Sequence, residues 1–297
     1  TESVTVIGGE ELDPPQFGKV LISIKPKNGY ALSDFKKGEL LNDLKQYSVS
    51  GINQEIIDLK LLYVEVDSDV FYDSSKVSNV LDLKTNITSS LSKYSKSVDL
   101  NKFGGRFKYS KLLNLIDNVD TAITSNITRV RMRRNLNAIL NTFAQYELCF
   151  GNKFYKRIDG YNIKSTGFTV SGENETVYFV DVPSADSNIG VLSAVKPTIE
   201  PDTFEVVKKS IGTVDYTKGE IIINTINIVS TSLPDGMIEI QAYPDSNDVI
   251  GLKDLYLMFD VSKSKINMVK DTIASGEQIS GVNYPVRSSY SNGQLTR

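Results

Sequence analysis

From Val20 to Lys25 apolar and polar residues alternate, with Val20, Ile22 and Ile24 on one face, which predicts a strand that Pro26 ends. A short helix is expected next. Ser33 is placed to cap it, and Phe35, Leu40, Leu41, Leu44 and Tyr47 form an imperfect apolar stripe that Gly38 weakens. Ile57, Leu59, Leu61 and Tyr63 share one face of a following strand. Leu62, Val64 and Val66 make its other face apolar, as in a strand buried on both sides, so a βαβ unit is expected. The clearest helix runs from Ser74 to Ser95, where Val77, Val80, Ile87, Leu91 and Tyr94 recur at helical spacings. After the turn FGGRF, a shorter helix is expected over Leu112 to Val119. A strand over Ile127 to Arg133 follows, in which Thr128, Val130 and Met132 alternate with arginines.

From Ile139 onward the helical period is lost and turn pairs recur, at Gly151-Asn152, Asp159-Gly160, Gly172-Glu173, Lys218-Gly219 and Asp235-Gly236. A hairpin is expected between Phe143–Phe150 and Lys153–Ile158, and EIIINTINI at 220–228 reads as a buried strand with isoleucines on both faces. Late in the chain Ile266 to Ile273 reads as a helix, and the Ser-, Tyr- and Asn-rich end reads as a flexible tail. The expectation is an α+β chain: an α/β layer of βαβ units on a small mixed sheet over 1–135, a β-rich domain over 136–280, and a tail over 281–297.

Composition changes this picture mainly by exclusion. The chain has no histidine and no tryptophan, so a Ser-His-Asp triad, a Cys-His pair, an HExxH zinc helix and an imidazole proton shuttle are all ruled out. Lys and Arg number 33 against 36 Asp and Glu, and a net charge of −3 does not hold a polyanion across the whole surface, so nucleic acid is not expected as a partner. Cys149 is the single cysteine; it cannot form an internal disulfide, and its apolar ELCF context reads as an inert thiol. No apolar run approaches a membrane span, and TESVTVIGGEELDPP lacks the features of a signal peptide. A start at Thr1, already strand-like, suggests a segment of a longer protein.

Three groups of residues carry candidate chemistry. Asp67, Asp69 and Asp73, and separately Asp245 and Asp248, resemble oxygen ligands for a hard cation, but neither matches a complete calcium loop, and polar caps at strand ends and turns are the expected role. Glu10, Glu11 and Asp13 could in principle serve as paired carboxylates for glycoside hydrolysis, while the proline pair after them favours a solvated loop. Arg129, Arg131 and Arg133 fall on one strand face as a basic stripe. It is open to solvent, an acidic protein neighbour or phosphates, and is the candidate protein interface. No dinucleotide or P-loop motif occurs, so no cofactor, metal or small-molecule substrate is expected.

The opening VTVIGGEELDPPQFGKVLISIKP resembles the start of the C-terminal half of the baseplate wedge proteins of T-even-like myovirus bacteriophages, within the baseplate J-like family. KLLNLIDNVDTAITSNITRVRMRR at 111–134, IGTVDYTKGEIIINTINI at 211–228 and LKDLYLMFDVSKSKINMVKD at 252–271 extend the resemblance over most of the chain. The resemblance implies a non-enzymatic structural subunit of a contractile tail, assembled in the host cytoplasm and located in the virion baseplate. It implies two copies per wedge, a homodimer contact within a ring, other wedge proteins as partners, and coupling to sheath contraction. An N-terminal half bundled with a wedge partner is also implied. Against it stand a tail-associated glycan-binding module or hydrolase and a cytoplasmic scaffold unrelated to phage.

Overall fold

A computed structural model describes residues 3–276 apart from 13, 28, 30, 31, 50 and 199–202. The expected tail over 281–297 and Asp13 therefore lie outside the described residues. The chain opens with β1 (Ser3–Gly8), β2 (Lys19–Lys25), α1 (Asp34–Lys45) and β3 (Asn53–Ile57). β2 pairs antiparallel with β1 and parallel with β3, and α1 makes the crossover, so a βαβ unit forms, but its second strand is 53–57 and not the segment from Ile57 to Val66 that the apolar pattern predicts. Ser33 caps α1 by accepting the Lys36 N–H. Ile22, Ile24 and Ile56 form a small core of their own, with Leu40, Leu41 and Leu44 of α1 packed on it.

A longer strand, β4 (Lys60–Tyr72), starts a second sheet rather than continuing β3. The expected single strand is broken at Asp58, whose carboxylate is held by Lys37 of α1 at 2.7 Å. There follow α2 (Val80–Ser95), β5 (Arg106–Phe107), α3 (Tyr109–Asp117) and β6 (Ile123–Asn137). α2 begins later than its apolar pattern suggests, because Asp73 ties down the Ser75 N–H and hydroxyl, and Asn79 then caps Leu81 N–H. β6 lies antiparallel on β4 from Tyr63↔Arg133 to Tyr72↔Ile123. On one face Val64 meets Met132 and Val66 meets Val130, and these join Leu83, Ile87, Leu91, Leu112 and Ile116 of the two helices in one core. Each such side chain contributes about 1.5–3 kcal/mol by its burial.

The chain then leaves this sheet at Asn137 and traces β7 (Phe143–Cys149), β8 (Lys164–Ser165), β9 (Phe168–Val170), β10 (Tyr178–Pro183), β11 (Ile189–Pro197), β12 (Phe204–Asp215) and β13 (Glu220–Thr231). It returns in β14 (Met237–Ala242), which pairs Met237 with the same Asn137. β15 (Val249–Ile250), β16 (Leu255–Phe259) and β17 (Lys265–Lys270) complete the chain. The large sheet runs β16-β4-β6-β14-β8-β10-β11-β12-β13-β7, with β17 also on β4 and β9 on β13. Strands dominate: three α-helices accompany seventeen strands among the described residues. Residue 135, where the sequence pattern changes, falls two residues before the end of β6, and the strands between 237 and 270 include three that lie beside β6 and β4.

Two further elements differ from those the sequence pattern predicts. Residues 265–270 are a strand, not a helix: β16 and β17 run parallel to successive halves of β4, and that edge needs partners along its whole length. In the gap between them Val66 N–H is satisfied by the Ser264 hydroxyl at 3.1 Å. The 143–158 hairpin does not form either. β7 pairs with β13, and the Asn152 side chain bonds Phe150 and Ile250 backbone groups, which turns the chain toward β15.

Candidate functional site

Alternate residues of a strand face opposite ways, so the arginines of β6 lie on the face away from α2 and α3. The register sets Glu65 against Arg131, Asp67 against Arg129 and Tyr63 against Arg133 on β4; on β14 it sets Gln241 against Arg133 and Glu239 against Asn135. Arg133, 2% exposed, is the centre of this face. Its Nε donates to Glu65 Oε1 at 2.6 Å and its Nη2 to Asp260 Oδ2 at 2.8 Å, while Nη1 bonds Asn135 and lies 3.2 Å from Glu239 Oε1. The guanidinium stacks over the Tyr63 ring, 3.8 Å from its centre. Gln241 donates to the second Glu65 oxygen at 2.6 Å, and Lys263 pairs with Glu239.

Three carboxylates and two cations from four distant segments thus meet around one planar fork, a geometry that lysine cannot replace. The cluster sits close to where the chain returns from 138–236 and fastens β14 and the turn between β16 and β17 to β4 and β6. With every charge held in place, the arrangement fixes register and holds the sheet together.

The expected basic stripe therefore exists but is turned inward. Arg131 is 9% exposed and its Nε has no hydrogen-bond partner, and Arg129 lies 4.0 Å from Asp69 with a side chain that is still partly exposed. Arg131 and Arg133 are thus buried within the chain rather than offered as an outer face. In the sequence alone Asp67 and Asp69 read as polar caps and Glu65 is not singled out, although Glu65, Asp67 and Asp69 repeat at the same period of two, the signal for a paired charged ladder.

The aspartates of VDSDVFYD are divided. Asp67 and Asp69 lie inside β4, where both accept from Asn267 Nδ2, at 3.5 and 3.0 Å, whereas Asp73 forms the turn before α2. Asp248 caps α3 by accepting the Tyr109 N–H at 2.8 Å. Glu11 pairs with Lys253. Among the described residues no group of three or more His, Cys, Asp or Glu is arranged to hold a metal ion, and no helix is long and apolar enough to cross a membrane. Cys149 is partly buried, and burial pushes its thiol pKa up.

A second buried polar group lies further along the sheet. Asp181 is fully buried and accepts from the Tyr216 hydroxyl and the Ile163 N–H; burial raises its pKa, and burial likewise raises that of Tyr216. Lys164, paired in register with Gln241, is lowered to about 8 by burial and then by the nearby charges of Arg131 and Arg157. Because the folded value lies below the unfolded one, the unfolded chain binds more protons between pH 8 and the ordinary lysine value. Stability should therefore rise with pH across that window, by roughly 1–2 kcal/mol up to pH 10, above which unfolded tyrosines reverse the trend. Urea midpoints at pH 7, 8, 9 and 9.8 should show this rise in the wild type and its absence in Lys164→Met; parallel slopes in both would refute the assignment.

Comparison with known proteins agrees with a structural role. The model for baseplate structural protein gp6, C-terminal domain I, matches residues 1–57, and that for C-terminal domain III of the same protein matches residues 60–135. The boundary between them coincides with the break between β3 and β4. Baseplate wedge protein gp6 of Enterobacteria phage T4 is 24% identical over 166 residues, which cover 56% of this chain and 24% of that protein. The aligned part thus spans about a quarter of its length. Residues 1–57 and 60–135 are thus similar to two C-terminal domains of the phage baseplate wedge protein gp6, a structural protein of the virion's tail baseplate and not an enzyme.

Proposed function

We propose that this chain is a self-associating segment of a baseplate wedge, binding a second copy of itself and other wedge proteins within a ring that responds to sheath contraction. In this reading residues 60–137 and 237–270 are the rigid centre, tied by the Arg133 cluster, and residues 1–57 make the contacts.

The observation that carries this reading is an uncovered face. Val4 pairs across from Ile24 and Val6 from Ile22, so all four share one side of the first sheet. α1 packs on the isoleucines of β2 and β3, which are buried, but Val4 and Val6 on β1 remain 48% and 57% exposed. Phe35 and Tyr47, in and just after α1, are exposed as well, and no residue of α1 is buried. So small a core beside that much open apolar surface is the composition of an interface.

If a second copy covers it, sedimentation at micromolar concentration should give a particle of twice 32.9 kDa. Its contact should bury at least about 1,000 Å². Val4→Glu combined with Val6→Glu should yield a folded monomer. A wild type that stays monomeric at all concentrations, or a double variant that still dimerises, would count against this surface.

A further inference from the structure

Lys102, Arg106, Lys108 and Lys111 converge on one pocket of about 240 Å³ beside the FGGRF loop, with Asp99 the single acid on its wall. None of the four cations makes an ion pair with a carboxylate among the described residues, in a chain whose net charge is negative. Their supporting backbone is fixed. Arg106 N–H bonds Asp99 O at 3.1 Å, Gly105 N–H bonds Lys102 O at 3.2 Å, and Gly251 N–H bonds Gly105 O at 2.7 Å. A side chain at Gly105 would collide with Leu100 O, so the loop can take this tight path only with glycine there. Lys111 lies 5.3 Å from the Tyr94 ring centre, and Leu100 and Phe107 anchor the loop in the core.

We infer that this pocket receives the carboxylates of an acidic segment from a neighbouring protein chain. Four unpaired cations on a rigid frame repel one another, and an anionic partner offsets that cost with little ordering of the site. The volume is below the roughly 300–1,000 Å³ of small-molecule sites, yet it accommodates one or two carboxylates. Nucleic acid is disfavoured because the cations are gathered in one hollow instead of tracking along a groove, and the rest of the chain is acidic. The identity of the neighbour as a baseplate protein rests on the reading above, whereas the pocket's preference for carboxylates does not.

The test uses the isolated chain and fluorescein-labelled hexaglutamate, followed by anisotropy at low salt. Saturable binding is expected, weakened by added salt, and lowered about tenfold or more in Lys108→Glu with Lys111→Glu. The control is Lys209→Glu with Lys218→Glu, the same charge change at exposed positions on β12 and in the turn after it, which should bind nearly as the wild type does. Lys108→Gln with Lys111→Gln should give an intermediate loss, which guards against a fold defect from the reversals. Equal losses in both charge-reversed pairs, no saturable binding, or tighter binding of labelled hexathymidylate would each overturn the inference. Because no assembly is needed, such failures count against the pocket and leave the baseplate reading to its own test.

Discussion

Arg133→Met is expected to destabilise the chain by about 3–5 kcal/mol, the usual consequence of removing one partner from a buried ion group. Glu65, Glu239 and Asp260 would remain gathered at the junction without the guanidinium that bridges them, and the stack on Tyr63 would be lost. For a domain of this size the melting temperature should fall by about 10 °C. Arg133→Lys should recover little, since one ammonium cannot reach Glu65, Asn135 and Asp260 at once. Adding Glu65→Gln to Arg133→Met should restore part of the loss by removing one uncompensated charge. Calorimetry of the three variants checks this, and a loss below about 1 kcal/mol for Arg133→Met would show that the cluster does not hold the sheet together.

A larger effect is expected at Ile223. It is fully buried in β13, between Gly212 of β12 on one side and Tyr146 of β7 on the other. The backbones there are so close that a side chain at Gly212 would meet Ile222 O at 2.2 Å. Ile223→Asp loses the packing of an isoleucine, about 2–5 kcal/mol, and places a carboxylate in the apolar core, which adds several more. The sum is comparable to the whole stability of an ordinary domain, so the variant should be recovered unfolded or insoluble. Val229→Asp, at a 40% exposed position of the same strand, should remain folded. Solubility and circular dichroism of the pair decide the matter, and a folded Ile223→Asp would mean that β13 is not central.

The same strand shows how far the sequence could be read. EIIINTINI places isoleucines at both odd and even positions, which suggests burial on both faces. In the structure the register shifts between Ile223 and Ile226, so Ile221, Ile223, Ile226 and Ile228 are all buried while Asn224 and Thr225 are exposed. A bulge rephases the alternation, and period alone does not reveal a bulge. Local signals did better: β2, the Ser33 cap of α1 and the apolar faces of α2 and α3 are written in spacings of two, three and four. What could not be seen was pairing between distant segments. Lys265–Lys270 has too few residues to separate a helical from a strand period, and its state is decided by the open edge of β4, nearly 200 positions earlier. The arginines were visible as a stripe for the same local reason. Their direction depended on Glu65, Glu239 and Asp260, which only the fold brings together.

We propose that this chain is a structural part of the tail baseplate, repeated in a ring. Electron cryo-microscopy of intact tails from the phage that encodes it tests this most directly. The β4–β6–β14 sheet with α2 and α3 should fit density in the baseplate, in two copies for each wedge, with residues 1–57 at a contact between chains. Baseplate density that lacks this fold, or a single isolated copy whose first sheet faces solvent, would contradict the account.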